Sequence, residues 1–125
     1  MPENIGGLYL PGGYPELYAK TLSENKTMLA SIRQAVQAGL PTAAECGGFL
    51  YLGRSLEDAD GKAWPMADVL PGDGIRVGRL VRFGYAEMTA KADSMLFCAG
   101  ETLPIHEFHH WDSTANGTAF TARKN

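Results

Sequence analysis

The stretch Pro41-Thr42-Ala43-Ala44-Glu45-Cys46-Gly47-Gly48-Phe49-Leu50-Tyr51-Leu52-Gly53 constrains this chain more than any other part of it. A short β-prone run breaks at a cysteine and two glycines, and a helical pattern takes over at once. This is the pattern of a strand-to-helix elbow, whose apex side chain is held out of the sheet edge by a backbone that tolerates only small neighbours. Cys46 then stands at the positive end of the following helix, where its thiolate is favoured. The Gly47 N–H faces the same space and is a candidate oxyanion donor. The competing reading is a small apolar residue buried at a turn, because free cysteine is among the most buried residue types.

A second corner precedes it. Gly6-Gly7-Leu8-Tyr9-Leu10 reads as a strand, and Pro11-Gly12-Gly13-Tyr14-Pro15-Glu16 follows directly before an amphipathic helix. If the two strands are parallel neighbours, both turns emerge at the carboxyl edge of the sheet, where doubly wound folds place their chemistry. Gly12 and Gly13 then present backbone N–H groups toward Cys46, an approach a Cβ would obstruct. The plainer alternative is an ordinary strand-to-helix turn, for which glycine is the default residue.

Between the corners, Ser23 to Ala38 carries the clearest helical period, with Met28, Leu29, Ile32, Ala35 and Val36 in one stripe and Ser23 as the expected N-cap. Gly39 and Pro41 stop it. Glu16 to Leu22 is expected to form a separate short helix. After Gly53, Glu57-Asp58-Ala59-Asp60-Gly61-Lys62 and Pro71-Gly72-Asp73-Gly74 read as turns, the first a solvated connection, with a contact surface for a further domain as the alternative. Gly78 to Ala90 alternates unevenly and Ile105 to Trp111 has β character, which predicts a mixed sheet with an antiparallel portion in the second half. Arg76, Arg79 and Arg82 are read as exposed strand positions, with steering of a substrate carboxylate or of a partner domain as the alternative. Cys98, in an apolar run, is read as core.

All three histidines lie in Ile105-His106-Glu107-Phe108-His109-His110-Trp111-Asp112. In a strand, His106, Phe108 and His110 share one face, and Glu107, His109 and Trp111 the other. Glu107 and His109 are then neighbours able to orient an imidazole. A metal site is disfavoured, because a strand divides the histidines between two faces and the spacing is not that of a helical HExxH.

The 125 residues, 45% hydrophobic, suffice for one modest core, and no apolar run is of membrane-spanning length. A formal charge of −3 argues against binding a phosphate backbone, so nucleic acid is an unexpected partner. Two cysteines without paired spacing make no disulfide framework, no leader opens the chain, and the expected compartment is the cytoplasm.

Three segments, LYLPGGYPEL (8–17), AECGGFLYLG (44–53) and HEFH (106–109), give the chain a specific resemblance: it resembles the glutaminase domain of cobyrinic acid a,c-diamide synthases over nearly its whole length. The resemblance implies a three-layer α/β domain, class I glutamine amidotransferase-like (flavodoxin-like), with a mixed sheet and with Cys46 at the end of a central strand. It implies that Cys46 attacks the carboxamide of glutamine, releasing ammonia through a thioester. No cofactor is implied in this domain. ATP and Mg belong to a synthetase domain, the implied partner, that amidates corrin carboxylates. In the relatives the histidine assisting the cysteine lies in a later Tyr-x-His-type strand. Here Ile105 replaces a usual glycine, and His110 and Trp111 replace tyrosine and serine, so His106, Glu107 and His109 have no assigned role. The expected organisation is therefore one partial domain over 1–125, truncated at its C-terminal side, with an unpaired sheet edge that favours self-association. The alternatives are a catalytically inactive glutaminase-like binding module and a cysteine hydrolase of another substrate class.

Overall fold

A computed structural model describes residues 1–124. Both corners form. Strands β1 (Leu8–Leu10) and β2 (Thr42–Ala44) pair in parallel, with Leu8 opposite Thr42 and Leu10 opposite Ala44. The loops leaving them therefore share one edge. The Glu45 N–H donates to the Leu10 carbonyl at 3.0 Å and carries the ladder one step further, up to the cysteine.

Between β1 and β2 lie a 3₁₀ turn at Pro15–Leu17, helix α1 (Ala19–Glu24) and helix α2 (Lys26–Gln37). The expected helix from Ser23 to Ala38 is corrected at its start. Ser23 is buried inside α1 and its Oγ donates back to the Lys20 carbonyl at 2.6 Å, the local partner a buried hydroxyl must find. Asn25 is the cap instead, its Oδ1 accepting from the Met28 N–H at 3.3 Å. Asparagine is as good an N-cap as serine, so propensity alone does not choose between them. Gly39, with φ of 98°, ends the segment in the left-handed region. The apolar stripe is as expected: Leu29 and Ile32 are buried, and Met28 and Val36 pack beside them against Leu52 and Ala67.

Helix α3 (Gly47–Tyr51) follows the elbow, then the hairpin of β3 (Ser55–Glu57) and β4 (Ala63–Pro65), then β5 (Asp73–Ala90), β6 (Thr102–Ser113) and β7 (Phe120–Lys124). The second sheet runs β4-β3-β5-β6, with β7 also on β5. Its β3–β5 pairing is parallel and the others antiparallel, which is the α/β arrangement with a mixed sheet that the sequence predicts. Leu56 and Met66, both fully buried, join Leu50 and Ala19 in a second core that ties α3 to this sheet.

Two expectations are corrected. Cys46 does not follow a central strand: among the described residues β2 pairs only with β1, and a cleft separates the elbow from β6. Cys98 is exposed and lies in no strand, because the apolar run around it forms a loop whose amides are taken by acidic side chains. The Cys98 N–H donates to Glu101 Oε2 at 2.6 Å and the Ala99 N–H to Asp93 Oδ1 at 2.8 Å. No helix among the described residues is long and apolar enough to cross a membrane.

The charged loop closes the β3–β4 hairpin through Asp58, whose carboxylate accepts from Trp64 Nε1–H at 2.8 Å and from the amides of Asp60 and Lys62. These bonds, that of Trp64 first, hold its pKa below the ordinary value of 3.8. A depressed carboxylate contributes stability that is present above its ordinary pKa and is lost as pH falls through the lowered value. Acidification below about pH 4 is therefore expected to loosen this hairpin, read as a change in Trp64 emission that Asp58→Asn largely removes. An unchanged acid transition in that variant would disprove the assignment.

Candidate active site

Cys46 has φ 51° and ψ −112°, a conformation that L-residues other than glycine seldom adopt. The sharp reversal from β2 into α3 demands it, and it leaves the thiol exposed. The reading of Cys46 as a buried apolar residue is thereby overturned. The glycines that follow are required by close approach. A Cβ on Gly47 would lie 2.7 Å from Pro15 Cδ and 2.8 Å from the Gly13 carbonyl oxygen. A Cβ on Gly48 would overlap the Leu10 carbonyl oxygen and lie 2.8 Å from Leu10 C and Cβ. The elbow is thus clamped between β1 and the loop that leaves it.

That loop stands where the sequence puts it. A Cβ on Gly12 would lie 3.5 Å from Cys46 Cβ, an ordinary contact, and one on Gly13 would meet nothing within 4 Å, so the expected obstruction by a Cβ at these two positions is corrected. Gly12, Gly13, Cys46 and Gly47 together line a cleft of about 340 Å³, whose far wall is Phe108 to Trp111 of β6. Among the described residues, the N–H groups of Gly12, Gly13 and Gly47 have no protein acceptor, and all three residues line the cleft. Helix α3 has only five residues. At Cys46 it offers its first amide, that of Gly47, rather than a long aligned dipole, which revises the expectation drawn from helix polarity.

Cys46 also borders a second cleft, of about 520 Å³, with His106, Glu107 and His109 on its β6 wall and Arg82 on β5. The alternation along β6 is as predicted: Glu107, His109 and Trp111 are half-buried, while His106, Phe108 and His110 are exposed. His109 is the histidine that borders both clefts. Its Nδ1 lies 2.7 Å from the Trp111 carbonyl oxygen, which can only accept, so Nδ1 carries the proton and Nε2 keeps its lone pair in the neutral ring. The expected pairing with Glu107 is replaced by this backbone contact. Tyr9 donates to Glu45 Oε1 at 2.8 Å beside the elbow, and that bond, with the carboxylate's charge, holds its phenol above the ordinary range.

Arg76, Arg79 and Arg82 are exposed, as expected, but Arg82 differs from the others. It borders the cleft and pairs with Asp112 Oδ2 at 3.4 Å. The uneven alternation of Gly78 to Ala90 was the trace of this in the sequence, since it reflects register shifts in β5 on either side of Val81. Among the described residues no group of three His, Cys, Asp or Glu side chains is placed to share a metal ion.

An exposed cysteine on a strained elbow shares its clefts with Gly12, Gly13 and Gly47 and with His109 of β6. The chain matches the model of the CobB/CobQ-like glutamine amidotransferase domain over residues 1–124, and it belongs to that family. Its relatives include proteins named cobyrinate a,c-diamide synthase. That of Caldanaerobacter subterraneus subsp. tengcongensis is 44% identical over 110 residues, 88% of this chain and 24% of the relative. That of Salmonella typhimurium is 47% identical over 105 residues, 84% of this chain and 23% of the relative. That of Clostridium acetobutylicum is 37% identical over 125 residues, 99% of this chain and 28% of the relative. The chain spans about a quarter of the length of the curated relatives it matches.

Proposed function

We propose that this chain is the glutamine-hydrolysing part of a cobyrinate a,c-diamide synthase, with Cys46 as nucleophile. The observation that carries the reading is the exposed Cys46 at φ 51° and ψ −112°, sharing one cleft with the amides of Gly12, Gly13 and Gly47. Sγ attacks the carboxamide carbon of glutamine, and the developing oxyanion is held by those N–H groups. The C–N bond then breaks, and ammonia leaves with the proton that Cys46 gave up, leaving a γ-glutamyl thioester. Water adds to the thioester, the C–S bond breaks, and glutamate departs as the thiol regains a proton.

Within this chain, His109 is our candidate to carry that proton, a reading supported by its place beside Cys46 on both clefts and by the Nδ1 contact with a carbonyl, which leaves Nε2 as the basic nitrogen. In the longer protein, the resemblance puts an assisting histidine in a later strand and an ATP- and Mg-dependent synthetase domain beside this one. That partner would use the ammonia to amidate corrin carboxylates, and no cofactor is needed for the hydrolysis itself.

Release of glutamate from L-glutamine by the purified chain, with a thioester trapped by mass spectrometry, tests the reading. Activity confined to peptides or esters would assign the site to another hydrolase class. Absence of both would leave a binding module. His109→Gln is expected to lower glutamate release by roughly 10²-fold, the scale of a lost general base. An unchanged rate would give the proton to another group.

A further inference from the structure

We infer that Tyr9 is a positioning residue for Cys46 and acts through Glu45: its phenol clasps the residue before the nucleophile and holds the elbow in the conformation that presents the thiol. This deepens the proposed function and rests on it for the hydrolytic readout alone.

The alternation along the two parallel strands brings the pair together. Leu8 and Leu10 of β1 and Ala44 of β2 turn inward and pack beside α2, so Tyr9, Ala43 and Glu45 fall on the opposite face. Ala43 stands in register with Tyr9 and is too small to screen it from the next residue on that face, and Tyr9 Oη donates to Glu45 Oε1 at 2.8 Å. Apolar packing does not account for Tyr9, which is 57% exposed while Leu8 and Leu10 on either side are half-buried.

The main chain of Glu45 is engaged in both directions. Its N–H donates to the Leu10 carbonyl at 3.0 Å, and its carbonyl accepts from the Gly48 N–H at 2.9 Å across the turn that contains Cys46. The bond from Tyr9 is a third tie on the same residue. A positive φ at a cysteine costs free energy and persists only where neighbouring structure over-determines it. After the cysteine, the close contacts of Gly47 and Gly48 with Pro15, Gly13 and Leu10 supply that constraint. Before it, Glu45 does. Because Tyr9 sits on the strand that leads into the loop of Gly12 and Gly13, the clasp also ties the elbow to the glycines that share its cleft. A hydroxyl bonded to a carboxylate is stronger than a neutral pair, though exposure to water reduces what it is worth.

The experiment compares the full chain with Tyr9→Phe, Glu45→Ala and the double variant by two rates. One is glutamate release from L-glutamine. The other is alkylation of Cys46 by iodoacetamide, followed by mass spectrometry with the exposed Cys98 as internal reference. Tyr9→Phe keeps the ring and removes the donor, and it is expected to lower kcat and Cys46 alkylation about fivefold each, with KM within about twofold and Cys98 unaffected. Glu45→Ala should match it, and the double variant should be no slower than either single one, because either change removes the same bond. Glu45→Gln retains an acceptor oxygen and should restore most of both rates. A contribution to stability alone would lower the thermal midpoint and leave both rates unchanged well below it. Rates for Tyr9→Phe equal to those of the unmodified chain, or losses that multiply in the double variant, would overturn the inference. The expected alkylation pattern without glutamate release by unmodified protein would instead refute the hydrolytic reading alone.

Discussion

Cys46→Ala is expected to lower glutamate release from L-glutamine by on the order of 10³-fold or more, because Cys46 is the one thiol among the described residues that line the clefts. The variant keeps the amides of Gly12, Gly13 and Gly47, so it separates the nucleophile from the groups that surround it. Its fold should be intact, since the side chain is exposed. Alanine keeps the φ of 51° as strained as cysteine does, and the thermal midpoint should move little. Cys46→Gly gives the complementary result. Glycine adopts that conformation without penalty, so this variant should be inactive and more stable by about 1 kcal/mol. The pair measures how much stability the elbow forgoes to hold a thiol at its apex. Glutamate release by Cys46→Ala at a comparable rate would end the proposal of Cys46 as nucleophile.

Gly48→Ala is expected to destabilise the chain by about 3 kcal/mol or more, among the largest effects of a single methyl group. The added carbon meets the Leu10 carbonyl and Cβ, which are main-chain and near-main-chain atoms of β1 with no freedom to turn aside. Relief requires α3 to lift away from β1. That movement would break the bond from the Glu45 N–H to Leu10 and open the core around Leu50 and Leu56. For a domain of this size, the thermal midpoint should fall by roughly 10 °C or more. Gly13→Ala is the contrast, because its Cβ would meet nothing within 4 Å, and it should melt close to the unmodified chain. A midpoint for Gly48→Ala within about 1 °C of the original would mean that α3 does not pack on β1 as described.

The two corners were legible because they are local. Glycines beside a cysteine, between a β run and a helical period, admit few backbone paths, and Leu8–Leu10 with Thr42–Ala44 pair in parallel as that grammar requires. The split of the β6 histidines across two faces was equally readable, since period two follows from strand geometry. The cap of α2 was misplaced because serine and asparagine are equivalent by propensity, and burial of Ser23 decided between them. Cys98 was misread because an apolar run does not reveal whether a strand or a loop carries it.

By itself, the sequence determined the elbow at Cys46, the glycine loop beside it and the α/β order of elements, all of which depend on neighbours a few residues apart. The tertiary structure alone decided that β6 faces the elbow across a cleft. It also decided that His109 bonds a backbone carbonyl rather than Glu107, and that a bulge puts Arg82 against Asp112. Those facts join residues separated by dozens of positions, and they are set by strand register and bulges, for which side-chain pattern is a weak code.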